Sequence, residues 1–246
     1  LVPGRAGDHC LRNSLWRFLR EFMTGFAMVP AMSNQTQSSV TLNVSNLSAR
    51  RGGRTIFEGL SFELQNGQSM AVVGPNGSGK STLLRVLAGL LRSETGTVQI
   101  NSYNTQDICF SGHRDGLKGA LTVHENLTFW ANLYSAAENA VETAISLMAL
   151  EAVLDMPADM LSAGWRRRAG LARLALGTAS IWMLDEPYTA LDTENVTRID
   201  NLLIAHMKNG GIAILATHQA PGFTPTQRID MANYRAKAPE EPEMDW

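Results

Sequence analysis

The chain has 246 residues, of which 44% are hydrophobic and 18% charged, a balance that suits one globular domain or one compact domain built from subdomains. Its formal net charge of −2 lacks the basic excess typical of nucleic-acid-binding proteins, so we expect no nucleic-acid partner. No apolar stretch reaches the roughly 18–20 residues that a membrane-spanning helix needs, so we expect any membrane role to come through a partner protein. The spacing of Cys10 and Cys109 favours two unrelated reduced thiols in a cytosolic protein.

Residues 1–38 are interpreted as an N-terminal extension of doubtful status. Residues 1–31 are rich in arginine and carry apolar side chains at helical spacing, which is typical of a targeting segment or of a helix that lies on a membrane surface. A third interpretation is upstream sequence translated ahead of a start at Met32. We favour the third, because Met32 opens a polar lead-in to the first predicted strand.

Two half-buried strands are predicted next. Residues 40–44 and 56–64 alternate between apolar and polar side chains, and the run 51–54 between them reads as a turn. Asn66 and Gly67 are a typical hairpin turn pair. These alternating strands predict an antiparallel sheet.

Three continuous apolar runs predict buried strands, at residues 70–73, 181–184 and 212–216. Helical patterns separate them, one through Leu83 to Leu91 and another over residues 122–154. Buried strands that alternate with helices indicate an α/β fold, with a parallel sheet covered on both faces. Shorter strands are predicted at 97–100 and 108–110.

A phosphate-binding loop follows the first buried strand. Residues 74–81 match the pattern G-x-x-x-x-G-K-[ST], with a strand before them and a helix after them. Lys80 should reach the β- and γ-phosphates of ATP, and the hydroxyl of Ser81 should bind Mg²⁺. The expected nucleotide-binding residues here are Gly74, Pro75, Asn76, Gly77, Ser78, Gly79, Lys80, Ser81 and Thr82.

Two acidic residues, Asp185 and Glu186, end the second buried strand. Adjacent carboxylates at such a position are costly unless they have a cation or a task. With Mg²⁺ at the phosphate loop, Asp185 is the expected second metal ligand, and Glu186 is the expected general base that polarises the attacking water.

The residues around these motifs resemble the ABC transporter ATPase family. Residues 161–165, Leu-Ser-Ala-Gly-Trp, are similar to the family signature Leu-Ser-Gly-Gly-Gln, and residues 190–192, Ala-Leu-Asp, to its D-loop. His218, at the end of the third buried strand, resembles the switch histidine. The resemblance covers about residues 40–235. It implies a P-loop NTPase fold with a RecA-like parallel-sheet core, an antiparallel β subdomain and a small helical subdomain. We assign residues 39–236 to this ATP-binding domain and 237–246 to an acidic tail.

The resemblance also implies a head-to-tail dimer, here a homodimer. ATP would lie between the phosphate loop of one copy and the signature of the other, where Ser162 and Gly164 would contact the γ-phosphate. His218 would hold the γ-phosphate or the attacking water in its own copy. The expected catalytic set is therefore Glu186, His218 and Lys80.

Three positions depart from the family pattern. His113 stands where the family has a glutamine near the metal, and both a functional and an incidental interpretation stay open. Trp165 replaces the last glutamine of the signature, for which subfamily drift is the favoured explanation. No aromatic residue lies near Arg51, where the family stacks one on adenine. If the guanidinium stacks on the base instead, the chain should discriminate weakly between ATP and GTP.

Several short runs are similar to the heme-exporter ATPases of cytochrome c maturation, at residues 112–113, 161–164, 167–168, 171–174, 185–187 and 217–219. This resemblance implies separate integral-membrane permease subunits and a peripheral place on the cytoplasmic face of the bacterial inner membrane. The predicted helical subdomain between His113 and Leu161 should be the docking surface. Residues 166–168, three consecutive arginines, are interpreted as a solvated helix face.

Three other functions stay open at this point. One is an ABC transporter ATPase for another substrate, since specificity lies in the permease. A second is an ABC-type ATPase that acts on ribosomes or DNA, which the single cassette disfavours. A third is a non-enzymatic assembly subunit, against which the intact Lys80, Asp185, Glu186 and His218 argue.

Overall fold

The structure is a computed structural model that describes residues 40–101 and 108–235. The predicted extension of residues 1–38 and the acidic tail of residues 237–246 lie outside the described residues. Both assignments, and the domain bounds 39–236, stay predictions.

Three strands form the predicted antiparallel sheet, in the order β2-β1-β4. Its strands are β1 (Thr41–Arg51), β2 (Arg54–Gln65) and β4 (Thr95–Asn101). A turn at Gly52 and Gly53 joins β1 to β2, as predicted. Shifts of register between Val44 and Ala49 let β1 continue past the polar residues that ended the predicted strand.

The predicted hairpin at Asn66 and Gly67 is wrong. Gly67 does take the left-handed conformation of a turn, with φ 74°. The turn, however, connects β2 of the antiparallel sheet to β3 (Ser69–Val73), which belongs to a second sheet, and Gly67 N–H donates to the carbonyl of Gly211. A turn dipeptide specifies only the local reversal of the chain. Which sheet the next strand joins depends on the apolar residues of that strand.

Five strands form a parallel sheet in the order β5-β6-β7-β3-β8. The strands are β3 (Ser69–Val73), β5 (Ile108–Ser111), β6 (Ile181–Asp185), β7 (Ile212–Ala216) and β8 (Gln227–Asp230). The sequence did not predict β8, because only Ile229 of its four residues is buried and no apolar pattern marks it.

The parallel sheet separates two apolar cores. Trp182 and Leu184 of β6 face a core built with the helices that follow β5, whereas Ile181 and Met183 face a core shared with the antiparallel sheet. Because alternate side chains of a strand point to opposite faces, a strand buried on both faces must be apolar throughout. This confirms the prediction from the continuous apolar runs.

Five α-helices complete the described fold: α1 (Lys80–Leu87), α2 (Val123–Tyr134), α3 (Ala140–Met148), α4 (Ala163–Ala172) and α5 (Thr193–Lys208). The helical pattern over residues 122–154 is divided, because Ser135 and Ala149 take left-handed conformations that end α2 and α3. Thr122 begins α2 with a capping box that it forms with Glu125. Within residues 40–101 and 108–235, no helix is both long and apolar enough to cross a membrane.

Candidate functional site

The carboxyl ends of β3, β6 and β7 meet at one edge of the parallel sheet. Each strand is followed there by a predicted functional segment: the phosphate loop after β3, Glu186 after β6 and His218 after β7. Ligands of open α/β sheets bind at this edge, because the loops and helix N-termini converge on it. The fold therefore brings together residues that lie far apart in sequence.

The phosphate loop turns directly into α1. Gly79 precedes the helix with φ 102°, and a Cβ atom there would lie 2.6 Å from Cγ2 of Ile56. Only glycine meets both requirements. The first N–H groups of α1 have no partner within the helix, so its N-terminus presents donors and a partial positive charge to an anion.

Lys80 and Ser81 connect the loop to the end of β6. The Nζ of Lys80 donates to the carbonyls of Gly74 at 2.9 Å and Pro75 at 3.3 Å. The hydroxyl of Ser81 donates to Oδ1 of Asp185 at 3.0 Å. Asp185 is buried, so its carboxylate lies beside the loop with little access to bulk water.

His218 contacts three groups through one ring nitrogen. Its Nε2 lies 2.7 Å from Oδ1 of Asn76, 3.1 Å from Nζ of Lys80 and 3.3 Å from Oε1 of Glu186. The two oxygens can only accept and Nζ of Lys80 can only donate, so the tautomer of the ring decides which of the three partners Nε2 bonds. The backbone N–H of His218 also donates to Oε2 of Glu186 at 3.3 Å. Phosphate loop, expected base and switch histidine are thus in direct contact.

Glu186 has an unusual backbone conformation, with φ 51°. A residue with a side chain loses roughly 1–2 kcal/mol in this left-handed region. Three bonds hold it there: Glu186 N–H donates to the carbonyl of Ala216 at 2.7 Å, and its own carbonyl accepts from Nη2 of Arg167 at 2.9 Å and from Thr189 N–H at 3.3 Å. Such a conformation persists where its surroundings over-determine it, typically at functional sites.

The expectation of a solvated arginine face at residues 166–168 is wrong for two of the three. Arg167 and Arg168 are buried, because the helix turns them toward carbonyl oxygens that need donors. Arg168 donates to the carbonyls of Met148 and Ala149 at the end of α3, and its guanidinium lies 3.7 Å from the ring of Trp165. The charge count alone could not tell such arginines from surface ones.

A second contact that the sequence did not reveal links Tyr188 to Asp200. The Tyr188 hydroxyl donates to Oδ1 of Asp200 at 2.5 Å, and the N–H of Gly222 donates to Oδ2 at 2.8 Å. Burial, and then the bond to Asp200, raise the pKa of Tyr188 above its usual value. Asp200 on α5 thereby joins the segment after Glu186 to the segment after His218.

Other predicted residues stay apart from this cluster. In the part of the chain that the structure describes, no hydrogen bond or ion pair joins His113, Ser162 or Gly164 to the phosphate loop. His113 and Ser162 are exposed, and the hydroxyl of Ser162 accepts from Trp165 N–H at 3.4 Å as the cap of α4. Arg51 is exposed at the end of β1, and its proposed contact with adenine stays a prediction.

Known proteins resemble this chain in both sequence and fold. The family model described as ABC transporter matches residues 57–189. A cytochrome c biogenesis ATP-binding export protein CcmA from Cereibacter sphaeroides is 42% identical over 198 residues, which are 80% of this chain and 92% of the relative. The protein of the same name from Rhodobacter capsulatus is 43% identical over 199 residues, or 81% of this chain and 91% of the relative.

A solved structure supports the fold. A putative ABC transporter ATP-binding protein from Pyrococcus furiosus superposes with a TM-score of 0.69 at 23% identity, covering 80% of this chain and 100% of the other. The predicted α/β P-loop fold is confirmed by this likeness and by the family match. The chain belongs to the ABC transporter family, among its ATP-hydrolysing ATP-binding proteins.

Proposed function

We propose that this chain is the ATPase subunit of an export system for cytochrome c biogenesis, and that it powers the handling of heme. The observation that carries the proposal is the similarity to proteins of that name over nine-tenths or more of their length, 92% and 91% for the two relatives above. The family membership alone supports ATP hydrolysis. The pathway rests on the similarity to these relatives.

ATP fits the edge of the sheet described above. The N-terminus of α1 would receive the phosphates, and Lys80 would exchange its two carbonyl acceptors for phosphate oxygens. The buried hydroxyl of Ser78 finds no hydrogen-bond partner among the residues that the structure describes. A buried polar group without a partner is costly, and a bound phosphate would supply one.

The residues beside the phosphate loop also fit Mg²⁺. The hydroxyl of Ser81 and the carboxylate of Asp185 lie 3.0 Å apart and offer two hard oxygen ligands. Mg²⁺ prefers this arrangement of few protein ligands plus substrate oxygens. When bound, the ion neutralises phosphate charge. Ser81 and Asp185 would hold it.

Glu186 is the proposed general base. Its carboxylate faces His218, whose Nε2 also lies beside Asn76 and Lys80 of the phosphate loop. A water between Glu186 and the γ-phosphorus would give its proton to the carboxylate as its oxygen bonds to phosphorus. The bond from phosphorus to the ADP oxygen breaks in the same step. His218 would orient the γ-phosphate or this water.

Replacing Glu186 by glutamine tests the base directly. Glu186→Gln keeps the size of the side chain but cannot take a proton, so ATP turnover should fall by about 10²–10⁴ with nucleotide binding retained. Turnover is measured as phosphate release, and binding as fluorescent-nucleotide affinity. Glu194→Gln, at an exposed residue of α5, is the matched control and should keep full turnover. Unchanged turnover in Glu186→Gln would contradict the assignment and direct attention to His113 and His218.

The signature residues are proposed to act on a second copy of the chain. Ser162 is exposed at the N-terminus of α4, where its hydroxyl and the free N–H groups could meet the γ-phosphate of the other copy. A two-fold axis makes both nucleotide sites equivalent, because each phosphate loop then faces one signature. We propose a homodimer with this head-to-tail arrangement.

A membrane partner is proposed to dock near the loop that carries His113. This loop opens a basic cavity, lined by Arg85, Phe110, Gly112, His113, Arg114 and Arg173. Arg173 is buried, and its Nε has no hydrogen-bond partner in the described ranges. Such a cavity suits an acidic side chain of an integral-membrane permease subunit. The ATPase would then be peripheral, at the cytoplasmic face of the bacterial inner membrane, without nucleic acid as a partner.

Affinity purification from host membranes tests the pathway. The tagged chain should recover integral-membrane subunits of cytochrome c biogenesis, identified by mass spectrometry. Recovery of an unrelated permease would keep the motor and remove the heme assignment. Recovery of ribosomes, or of no membrane protein, would remove the transport function. A tagged variant with Arg85 and Arg114 both replaced by glutamate should lose the partner while it still binds ATP.

A further inference from the structure

Arg167 makes the densest set of polar contacts near the site. It lies on α4, three residues after Gly164 of the signature, and its side chain is buried. Its Nη2 donates to the carbonyl of Asp185 at 2.7 Å as well as to that of Glu186. Its Nε donates to the carbonyl of Pro187 at 3.3 Å. One planar guanidinium therefore contacts three consecutive carbonyls around the proposed base.

The opposite side of the same guanidinium holds the loop after β5. Nη1 of Arg167 donates to Oδ1 of Asp115 at 2.9 Å and to the carbonyl of Gly112 at 3.2 Å. Asp115 packs closely against α4 at Gly170, where a Cβ atom on the glycine would lie only 2.6 Å from the Cβ of Asp115. The charged pair is largely removed from water, with side-chain exposures of 6% and 16%, so it is stronger than a surface pair. The loop that carries His113 is thus tied to α4.

The bonds that Arg167 makes to the backbone near Glu186 affect where the Glu186 carboxylate lies. A glutamate at φ 51° relaxes toward ordinary conformations unless both of its peptide groups are held. The bond to Ala216 holds one side, and the other is held by the 2.9 Å bond from Arg167, with a longer bond of 3.3 Å from Thr189 N–H. A rotation about φ of Glu186 would swing its carboxylate away from His218.

We propose that Arg167 is a positioning residue that keeps Glu186 in its left-handed conformation and couples that conformation to the loop at residues 112–115. The proposal rests on the proposed role of Glu186 as the general base. Arg167 is not proposed to contact the nucleotide or the attacking water. It affects turnover through the conformation of Glu186. A movement of the loop or of α4 would move the Arg167 guanidinium, and with it the backbone of Glu186.

The test compares two neighbouring arginines that both bond to backbone carbonyls. Arg167→Gln should lower kcat for ATP by about 10–100-fold, because a misplaced catalytic group loses rate steeply with distance, while KM for ATP stays within about twofold. Arg166→Gln removes bonds to the carbonyls of Ala158, Asp159 and Leu161, none of which reaches β6, and should keep kcat. A purely structural role would lower stability in both variants and leave kcat of the folded protein unchanged.

A full kcat in folded Arg167→Gln, or an equal loss in Arg166→Gln, would overturn the proposal. If Arg167→Gln does not fold, Asp115→Asn decides: it weakens the charged bond to Nη1 and leaves the carbonyl bonds possible. Asp115→Asn should lower kcat severalfold with KM unchanged, and a full kcat there would also overturn the proposal. Glu186→Gln separates the role of Glu186 as the base from the positioning role of Arg167. Normal turnover in Glu186→Gln refutes the base. Loss of turnover in Glu186→Gln together with normal turnover in Arg167→Gln refutes only the positioning role.

Discussion

Nε2 of His218 lies 2.7 to 3.3 Å from polar atoms of Asn76, Lys80 and Glu186. A phosphate group that enters this space must take over bonds that these residues make to each other and, for Lys80, to the loop carbonyls. Each exchanged bond costs and returns a similar free energy, so we expect binding to depend on the excess of donors over acceptors. The N-terminus of α1 supplies that excess.

His206 gives a prediction about stability rather than activity. Its ring stacks on Trp182 with centroids 3.7 Å apart, and burial lowers its pKa from 6.5 to about 4. Because the pKa is lower in the folded than in the unfolded chain, unfolding takes up a proton between these values. The contribution of neutral His206 is therefore complete above pH 6.5 and is lost as pH falls toward 4. The free energy of unfolding should fall by up to about 1.4 kcal/mol per pH unit in this window.

The matched variant is His206→Phe, which keeps a flat ring beside Trp182 and cannot titrate. Urea unfolding of both proteins from pH 4.5 to pH 7.5 gives the difference in free energy at each pH. We expect the free energy of unfolding of the wild type to fall relative to that of the variant as the pH is lowered from 6.5. Curves that stay parallel over this range would mean that His206 does not titrate between the folded and unfolded states as described.

Between elements, the carboxylate of Asp200 connects α5 to the segments after β6 and β7. Tyr188→Phe removes the donor to Oδ1 while the ring stays, so a buried carboxylate oxygen loses its partner. Such a loss costs about 1–3 kcal/mol, which should appear as a lower midpoint in chemical unfolding. Turnover should also fall, because the segments on either side of Asp200 carry Glu186 and His218.

Tyr234→Phe is the control for this change. Its hydroxyl makes no hydrogen bond to any residue within 40–101 or 108–235, and its side chain is half-buried. Its removal should change the free energy of unfolding by less than about 0.5 kcal/mol. Equal effects of the two substitutions would refute the bridging role of Asp200.

The helices and strands differ in how clearly their residues predict them. Strand β6 is apolar throughout because both of its faces are buried, so its position and its exit at Asp185 could be predicted. Strand β8 could not, because it lies at the edge of the sheet and forms backbone hydrogen bonds to β3 on one side only. Backbone pairing leaves no pattern in side-chain identity.

The same distinction applies to the site. The phosphate loop could be predicted because its residues have a fixed local spacing, and Asp185 because it ends an apolar strand. Arg167 could not be placed, because its partners other than Asp115 are carbonyl oxygens of segments about 20 and 55 residues away, which any residue type would offer. Contacts to the backbone of distant segments depend on the fold and not on the identity of the partner.

For the whole molecule, the decisive question is which surfaces complete the nucleotide site. The phosphate loop, Asp185, Glu186 and His218 meet at one edge of the sheet, whereas Ser162 caps α4 without a described bond to any of them. A chain that carries its signature apart from its own phosphate loop suits a site shared between two copies. This arrangement makes a prediction that a site within one chain does not.

Mixing two inactive variants tests the shared site. Lys80→Ala disables the phosphate loop, and Ser162→Asp keeps the helix cap but sets a negative charge against the γ-phosphate. Each variant alone should be inactive, because both sites of its dimer carry the defect. A mixed dimer has one site with the intact loop of one copy and the intact signature of the other, so an equimolar mixture should recover about one quarter of the wild-type turnover if the sites act independently. Exchange of subunits is checked separately, by recovery of untagged Ser162→Asp chains with tagged Lys80→Ala chains from the same mixture. If the two chains are recovered together and the mixture stays inactive, the two motifs act within one chain, and the head-to-tail arrangement is refuted.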